Sequence, residues 1–78
     1  MKQSEIVVGH TYRNRGKGTT QRKVMGIGPE YRPVSWLGKW ESRPPADAPG
    51  VEFEQDGDVH RLHLFAFAAW AGSEVSDD

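Results

Sequence analysis

The stretch VEFEQDGDVHRLHL, residues 51–64, alternates apolar and polar side chains on both sides of the dipeptide Asp56-Gly57. Asp-Gly between alternating segments is the favoured loop of a two-residue β-hairpin, because a type I′ turn needs positive φ at both positions. The stretch therefore predicts a hairpin with Phe53 on one face and Glu52 beside Arg61 on the other. The expected cross-strand pairs are Gln55 with Asp58, Phe53 with His60, Glu52 with Arg61 and Val51 with Leu62.

Three further segments upstream of this hairpin have the composition of strands. Residues 5–13 (EIVVGHTYR) are rich in β-branched and aromatic side chains. Residues 21–27 (QRKVMGI) follow a glycine-containing turn, and strict alternation would place Met25 and Ile27 on the same side of this strand. Residues 34–40 (VSWLGKW) would place both tryptophans on one face of a third strand.

The segment LFAFAAWAG, residues 64–72, differs from the strands before it. It contains four alanines and no β-branched residue, a composition that favours a helix. Its apolar residues recur at helical spacing, and Gly72 stands where a C′ glycine would end the helix. The acidic residues 73–78 beyond it are expected to form a flexible tail.

Five short strands followed by a helical turn predict a mainly β fold, either a strongly bent sheet or a small SH3-like barrel. At 78 residues the chain has the length of one domain, which we place at residues 1–72. The expected core consists of large apolar residues, namely Val8, Tyr12, Val24, Ile27, Trp36, Val51, Phe53, Leu62, Leu64, Phe67 and Trp70.

The bulk features of the chain exclude several classes of protein. The chain has no cysteine, which excludes disulfides and zinc sites built on thiolates. No segment approaches the ~20 consecutive apolar residues of a membrane-spanning helix. The opening MKQSEIVVGH also lacks the apolar run of a secretory signal. These features predict a cytoplasmic protein.

The charges are distributed unevenly along the chain. Residues 1–43 carry nine Lys/Arg and three Asp/Glu, whereas residues 44–78 carry one Arg and eight Asp/Glu, and the sum is the net charge of −1. Such a division indicates either a partner that binds one charged face or neighbouring strands that neutralise each other.

No combination of residues suggests catalysis or a metal site. His60 and His63 are three residues apart, a spacing that puts them on opposite faces of a strand, and no carboxylate pair completes a ligand set with His10. The serines lie in no recognisable nucleophile motif. The segment RGKGTT lacks the spacing of a phosphate-binding loop. The sequence thus predicts a protein that is not an enzyme, holds no metal and uses no cofactor.

A basic stretch with aromatic residues around it is the candidate binding site. Residues 9–24 (GHTYRNRGKGTTQRKV) hold five of the ten cationic side chains around a turn. Small barrels that bind nucleic acid combine such cations with aromatic platforms for bases, whereas the alternative is a solvated turn opposite the acidic hairpin. The isoelectric point of about 6.3 is low for a dedicated nucleic-acid-binding protein. The candidate residues are Arg13, Arg15, Lys17, Arg22, Lys23, Tyr31, Arg32 and Trp40.

Two segments of the chain resemble a family of viral proteins. GHTYRNRGKGTTQRKVMGI (9–27) is similar to the G-x-x-Y-R-N-R opening of small uncharacterised proteins encoded by tailed phages and prophages. VEF…LHLFAFAAWA (51–71) is similar to their closing strand and Phe-Ala-x-Trp-Ala helical turn. The resemblance implies a phage accessory protein that acts inside a bacterial host cell, with no assigned activity.

These observations predict a small binding protein, for which three hypotheses remain open. The first is an adaptor or inhibitor that binds a host or phage protein through a sheet edge or an aromatic patch. The second is a nucleic-acid-binding module that uses the basic turn at residues 13–23. The third is an assembly component that forms a homo-oligomer.

Overall fold

The computed structural model describes residues 1–33, 44–45 and 47–75. Two short 3₁₀ turns lie at Gln3–Glu5 and Pro29–Tyr31. The strand predicted at residues 34–40 lies outside the described residues, as does Trp36. The regular elements are the strands β1 (Thr11–Asn14), β2 (Gln21–Gly28), β3 (Gly50–Gln55), β4 (Asp58–His63) and β5 (Ala71–Val75), with the helix α1 (Leu64–Trp70) between β4 and β5.

The five strands form one antiparallel sheet in the order β4-β3-β2-β1-β5. The predicted mainly β fold class is therefore confirmed, as is the short helix predicted near the C-terminal end of the chain. Within the described residues the sheet is not closed, because β4 and β5 are its two edges. The helix α1 joins these edges and buries Leu64, Phe67 and Ala68 against one face of the sheet. No helix in the described ranges is long and apolar enough to cross a membrane.

The hairpin of β3 and β4 has the predicted register. Glu52 pairs with Arg61, Phe53 with His60 and Val51 with Leu62, and Gln55 pairs with Asp58 beside the turn. Asp56 and Gly57 have φ angles of 53° and 86°, and positive φ at both positions is what a type I′ loop requires. The Arg61 Nε atom donates a hydrogen bond to Glu52 Oε2 at 3.1 Å on the outer face. The Asp-Gly dipeptide and the alternating pattern around it therefore predict the register of this hairpin correctly.

The strand predicted at residues 5–13 is wrong over most of its length, since β1 begins only at Thr11. The chain turns before it, because Gly9 has a φ of 90° and its N–H donates to the carbonyl of Val24. This turn changes which apolar residues are buried. Ile6 enters the core, whereas Val8, predicted to be a core residue, is 51 % exposed.

A bulge in β2 reverses the alternation predicted for that strand. Val24 pairs with Phe53 and Ile27 pairs with Val51, and the register shifts between Val24 and Gly26. Both Val24 and Ile27 consequently face the core, and the extra residue Met25 is exposed. The prediction that Met25 and Ile27 share a side is therefore wrong, because a bulge adds one residue to the period of the strand.

The end of α1 also differs from the prediction. The helix stops at Trp70, and Ala71 is already extended with a ψ of 129°. Gly72 is not a helix cap but part of β5, where a Cβ would lie 2.9 Å from the Cα of Arg15. Residues 73–75, which were predicted to belong to a flexible tail, pair with β1 in the sheet.

The core lies between α1 and the inner face of the sheet. Six of the predicted core residues are buried there and three more (Ile27, Leu62 and Trp70) pack half-buried against it. Ala68 and Ala71 fill the space where the helix approaches the sheet. The six buried residues that the sequence predicted are Tyr12, Val24, Val51, Phe53, Leu64 and Phe67.

The hydroxyl group of the buried Tyr12 binds the N-terminal segment to this core through two hydrogen bonds. The hydroxyl accepts a hydrogen bond from the Val7 N–H at 2.8 Å and donates one to the Glu5 carbonyl at 2.9 Å. Burial raises the pKa of this phenol above its ordinary value.

We expect Tyr12→Phe to lower the free energy of unfolding by about 1–3 kcal/mol, because two backbone groups lose their partner. Urea denaturation followed by tryptophan fluorescence measures this change. Tyr31→Phe is the control, and an equal loss in both variants would contradict the assigned role of the Tyr12 hydroxyl.

Candidate binding groove

Arg22 is the cation of the basic stretch that the fold places on the inner face of the sheet. Arg22 of β2 pairs with the buried Tyr12 of β1, so its side chain lies on the face of the sheet that carries the core. The carbon at the centre of its guanidinium lies 4.7 Å from the ring centre of Phe53 and 4.2 Å from that of Trp70. These cation–π contacts stabilise the side chain in one position at the edge of the core.

One hydrogen bond orients the Arg22 side chain further. The Arg22 Nε atom donates to Gln55 Oε1 at 2.7 Å. Burial against the aromatic rings lowers the pKa of the guanidinium below its ordinary value, yet an arginine keeps its charge at neutral pH. The remaining Nη groups make no hydrogen bond to another residue in the described ranges. The guanidinium is thus held in place while part of its planar edge is available.

The guanidinium borders an open groove with a volume of about 280 Å³. We call it the Arg22 groove. His60 lines one side of it and packs its imidazole against Phe53, with the ring centres 5.8 Å apart. The described residues of the lining include no aspartate or glutamate, so this part of the wall is positive or neutral. Its lining residues are Arg22, Phe53, Gln55, His60, Arg61 and Leu62.

The groove adjoins β4, which is an edge strand of the described sheet. Leu64 N–H donates to the Pro49 carbonyl at 2.9 Å, which continues the β3–β4 ladder. In an antiparallel ladder the residues alternate between pairs that bond to each other and pairs whose backbone groups point away. Since Leu64 bonds to β3, every second residue back along β4 does so as well. The residues between them include Val59 and Arg61, whose backbone N–H and C=O groups therefore point away from β3. The outer edge of β4 therefore offers main-chain donors and acceptors next to the groove.

The opposite face of the sheet is partly covered by the 3₁₀ turn at Pro29–Tyr31. The Tyr31 ring lies over Gly26, where a Cβ would come within 2.5 Å of the ring. The Arg61 guanidinium lies 5.7 Å from the centre of the same ring. His63 is buried nearby, and burial together with the positive charge of Arg32 lowers its pKa below the ordinary value. Tyr31 is thus held within the fold.

The predicted binding residues do not form one surface. Arg13 and Lys23 lie on the outer face of the sheet, opposite Gln21 and Thr11 respectively. Arg15 and Lys17 are exposed in the turn between β1 and β2. Arg22 points to the inner face, Tyr31 and Arg32 lie in or beside the 3₁₀ turn, and Trp40 is outside the described residues.

Opposite charges meet between neighbouring strands, as one of the two interpretations of the uneven charge distribution predicts. Lys23 of β2 lies opposite Glu54 of β3, and Arg61 bonds to Glu52. His10 contacts the carboxylate of Glu74 in β5. The basic and acidic halves of the chain consequently lie side by side in the sheet.

Sequence reasoning missed Gln55, His60 and Trp70 as parts of the site. The predicted hairpin register does pair His60 with Phe53, which agrees with the contact between their rings. The parity of the hairpin could have indicated Gln55 as well, since it shares a face with Phe53. The approach of Trp70 to Arg22 depends on the packing of α1 and has no signal in the local sequence.

The described residues contain no group of three or more His, Asp or Glu side chains that could hold a metal ion. In comparisons with known proteins, no family model, no curated protein and no solved structure matches the chain.

Proposed function

We propose that this chain is a small adaptor or inhibitor that binds a segment of another protein along the outer edge of β4. The observation that carries the proposal is the outer edge of β4 beside the Arg22 groove, an edge with which no strand of the described residues pairs. In strand addition, an extended peptide bonds to exposed backbone groups, while pockets next to the strand select its side chains. An edge strand with an adjoining groove provides both parts.

The strand order supports an SH3-like arrangement as the finer description of the fold. β5 returns to pair with β1 after a helical turn, and β2, β3 and β4 follow one another in the sheet. We propose that bending of this sheet brings β4 towards β5 beneath α1. The resemblance to proteins of tailed phages supports the further proposal that the partner is a host or phage protein in the bacterial cytoplasm.

Nucleic-acid binding is the second candidate function, and the exposed cations of the β1–β2 turn favour it. Arg13, Arg15, Lys17 and Lys23 are all exposed. Base stacking needs open aromatic faces. Phe53 is buried in the described structure and contacted by Arg22, while the ring of Tyr31 lies between Gly26 and Arg61. This arrangement gives protein binding the better support.

We expect the substitution Val59→Pro to lower partner binding about tenfold without unfolding the chain. Proline removes the outward N–H of Val59 and its ring obstructs an added strand, while the β3–β4 ladder keeps its bonds. A photo-crosslinking amino acid at His60, in bacterial cells that produce the chain, reports the binding as the yield of a discrete adduct.

Two controls accompany this experiment. Val59→Thr keeps the N–H and should preserve the adduct, and the crosslinker at the exposed Thr19 should give none. An adduct at His60 that Val59→Pro leaves unchanged would show that the edge of β4 is not the binding surface. An adduct at Thr19 alone would move the interface to the β1–β2 turn.

A further inference from the structure

We propose that the Arg22 groove takes the carboxylate of an acidic side chain on the extended partner segment. This inference rests on the proposed function and specifies the chemistry of the ligand. It concerns the groove, whereas the proposed function depends on the backbone of β4. The two can therefore be tested separately.

The geometry of Arg22 matches a carboxylate. An arginine binds a carboxylate through parallel N–H groups of its planar guanidinium, in a bidentate arrangement that a point charge does not provide. The stacking on Phe53 and Trp70 and the bond to Gln55 fix the plane of the guanidinium. A ligand therefore meets an oriented donor set, and little side-chain entropy is lost when it binds.

The charges around the groove complement an acidic ligand. Of the two arginines that line the groove, Arg61 has its guanidinium on the outer face, where it bonds to Glu52, whereas the Arg22 guanidinium bonds to no carboxylate of the described residues. The Arg22 charge is thus the uncompensated one. Its position on aromatic rings, partly removed from water, strengthens the attraction to an anion relative to an exposed lysine or arginine.

The acidic residues near the groove favour a single carboxylate over a polyphosphate chain. Glu54, Asp56 and Asp58 surround the tip of the β3–β4 hairpin next to Gln55. A nucleic acid carries phosphates at regular, close spacing along its backbone. Such a chain running through the groove would bring several phosphates close to these carboxylates, whereas one inserted acidic side chain would not.

Strand addition explains how a carboxylate would reach the groove. Side chains of a strand alternate between its two faces, so every second residue of a segment paired with β4 would lie on the side of His60 and Leu62. These are the β4 residues that line the groove from the inner face. The ligand class is accordingly an extended peptide with one acidic residue at a position that lies on this side.

The test is a titration of the whole chain, labelled with nitrogen-15, with the blocked peptide acetyl-Thr-Glu-Thr-Glu-Thr-amide. The matched neutral probe is the same peptide with glutamine in place of glutamate, and the third probe is a short oligothymidylate. We expect saturable shifts of the Arg22 Nε–H and Gln55 side-chain amide signals with the acidic peptide alone. Binding that the glutamine peptide reproduces, or tighter binding of the oligothymidylate at the same signals, would overturn the inference.

Variants decide whether the response depends on this particular arginine. We expect Arg22→Gln to weaken binding of the acidic peptide roughly ten- to a hundredfold, and Arg22→Lys to weaken it by about tenfold because the planar donor set is lost. Arg15→Gln removes an exposed cation of the turn and should change the affinity less than twofold. Equal losses in Arg15→Gln and Arg22→Gln would overturn the inference in favour of unspecific attraction.

Two further readouts separate this inference from the proposed function and from folding. Dispersion of the amide spectrum shows whether each variant is folded. If Arg22→Gln does not fold, Arg22→Lys serves as the test variant, because its side chain retains the packing on Phe53. A His60 crosslink that remains in Arg22→Gln, with no response to the acidic peptide, would leave the protein-binding function in place and overturn only its acidic ligand.

Discussion

Phe67→Ala is expected to lower the free energy of unfolding by about 3–5 kcal/mol, because it removes the ring at the centre of the core. Phe67 is fully buried, and its ring centre lies 5.9 Å from that of Tyr12, 5.4 Å from that of Phe53 and 5.3 Å from that of Trp70. A chain of this length has a total stability of about 4–12 kcal/mol. The substitution thus removes a large share of the stability of the fold.

The physical reason is that α1 is too short to persist without its contacts. Isolated helices of fewer than about 12 residues are marginal in water, and α1 has seven. Phe67 is the side chain through which the helix contacts rings from β1, from β3 and from its own last turn. Without it, α1 loses much of the packing that holds it on the sheet.

Urea denaturation followed by far-ultraviolet circular dichroism measures the change in stability. Phe65→Ala is the matched control on the same helix, since Phe65 is 39 % exposed and stacks on His63. We expect this control to cost at most about 1.5 kcal/mol. Phe67→Leu keeps most of the volume and should cost less than Phe67→Ala. A loss in Phe65→Ala as large as that in Phe67→Ala would show that the core is centred elsewhere.

The parts of the fold that the sequence predicts well are those set by local rules. The hairpin of β3 and β4 follows from Asp56-Gly57 and strict alternation, and its register is correct at each predicted pair. The helix after it follows from alanine content and the absence of β-branched residues. In both cases neighbours along the chain decide the structure.

The errors arise where distant contacts override local preference. Residues 5–10 have the composition of a strand, but the Tyr12 hydroxyl and the bond from Gly9 to Val24 hold them in another path. The bulge at Met25 depends on the pairing of β2 with β3. β5 has little strand propensity of its own and forms because β1 offers it an edge.

The candidate site depends on distant contacts as well. The sequence names the basic stretch and Arg22 as candidates for binding, but it does not show which cations share a face. The fold leaves four of them exposed around the turn or on the outer face and directs Arg22 towards Phe53 and Trp70. The groove exists because β2 packs beside the β3–β4 hairpin and α1 brings Trp70 against Arg22, and these contacts join segments that are distant along the chain.

Gly50→Ala is expected to lower the free energy of unfolding by about 3 kcal/mol, because the added methyl group meets backbone atoms that cannot rotate away. Gly50 pairs with Gly28 on β2 and with His63 on β4. A Cβ at Gly50 would lie 2.5 Å from the Cα of Arg32 and closer still to the carbonyl of Tyr31. The substitution therefore has to displace the end of the 3₁₀ turn from the sheet.

Gly26→Ala provides a matched comparison on the neighbouring strand. Its Cβ would come within 2.5 Å of the Tyr31 ring, which is a side chain and can be removed. We expect Tyr31→Ala to rescue most of the loss caused by Gly26→Ala and none of the loss caused by Gly50→Ala. Urea denaturation of the two double variants and the three single ones measures both coupling energies. Rescue of Gly50→Ala by Tyr31→Ala would contradict the assigned backbone contact, whereas its absence would show that glycine is required where the 3₁₀ turn crosses β3.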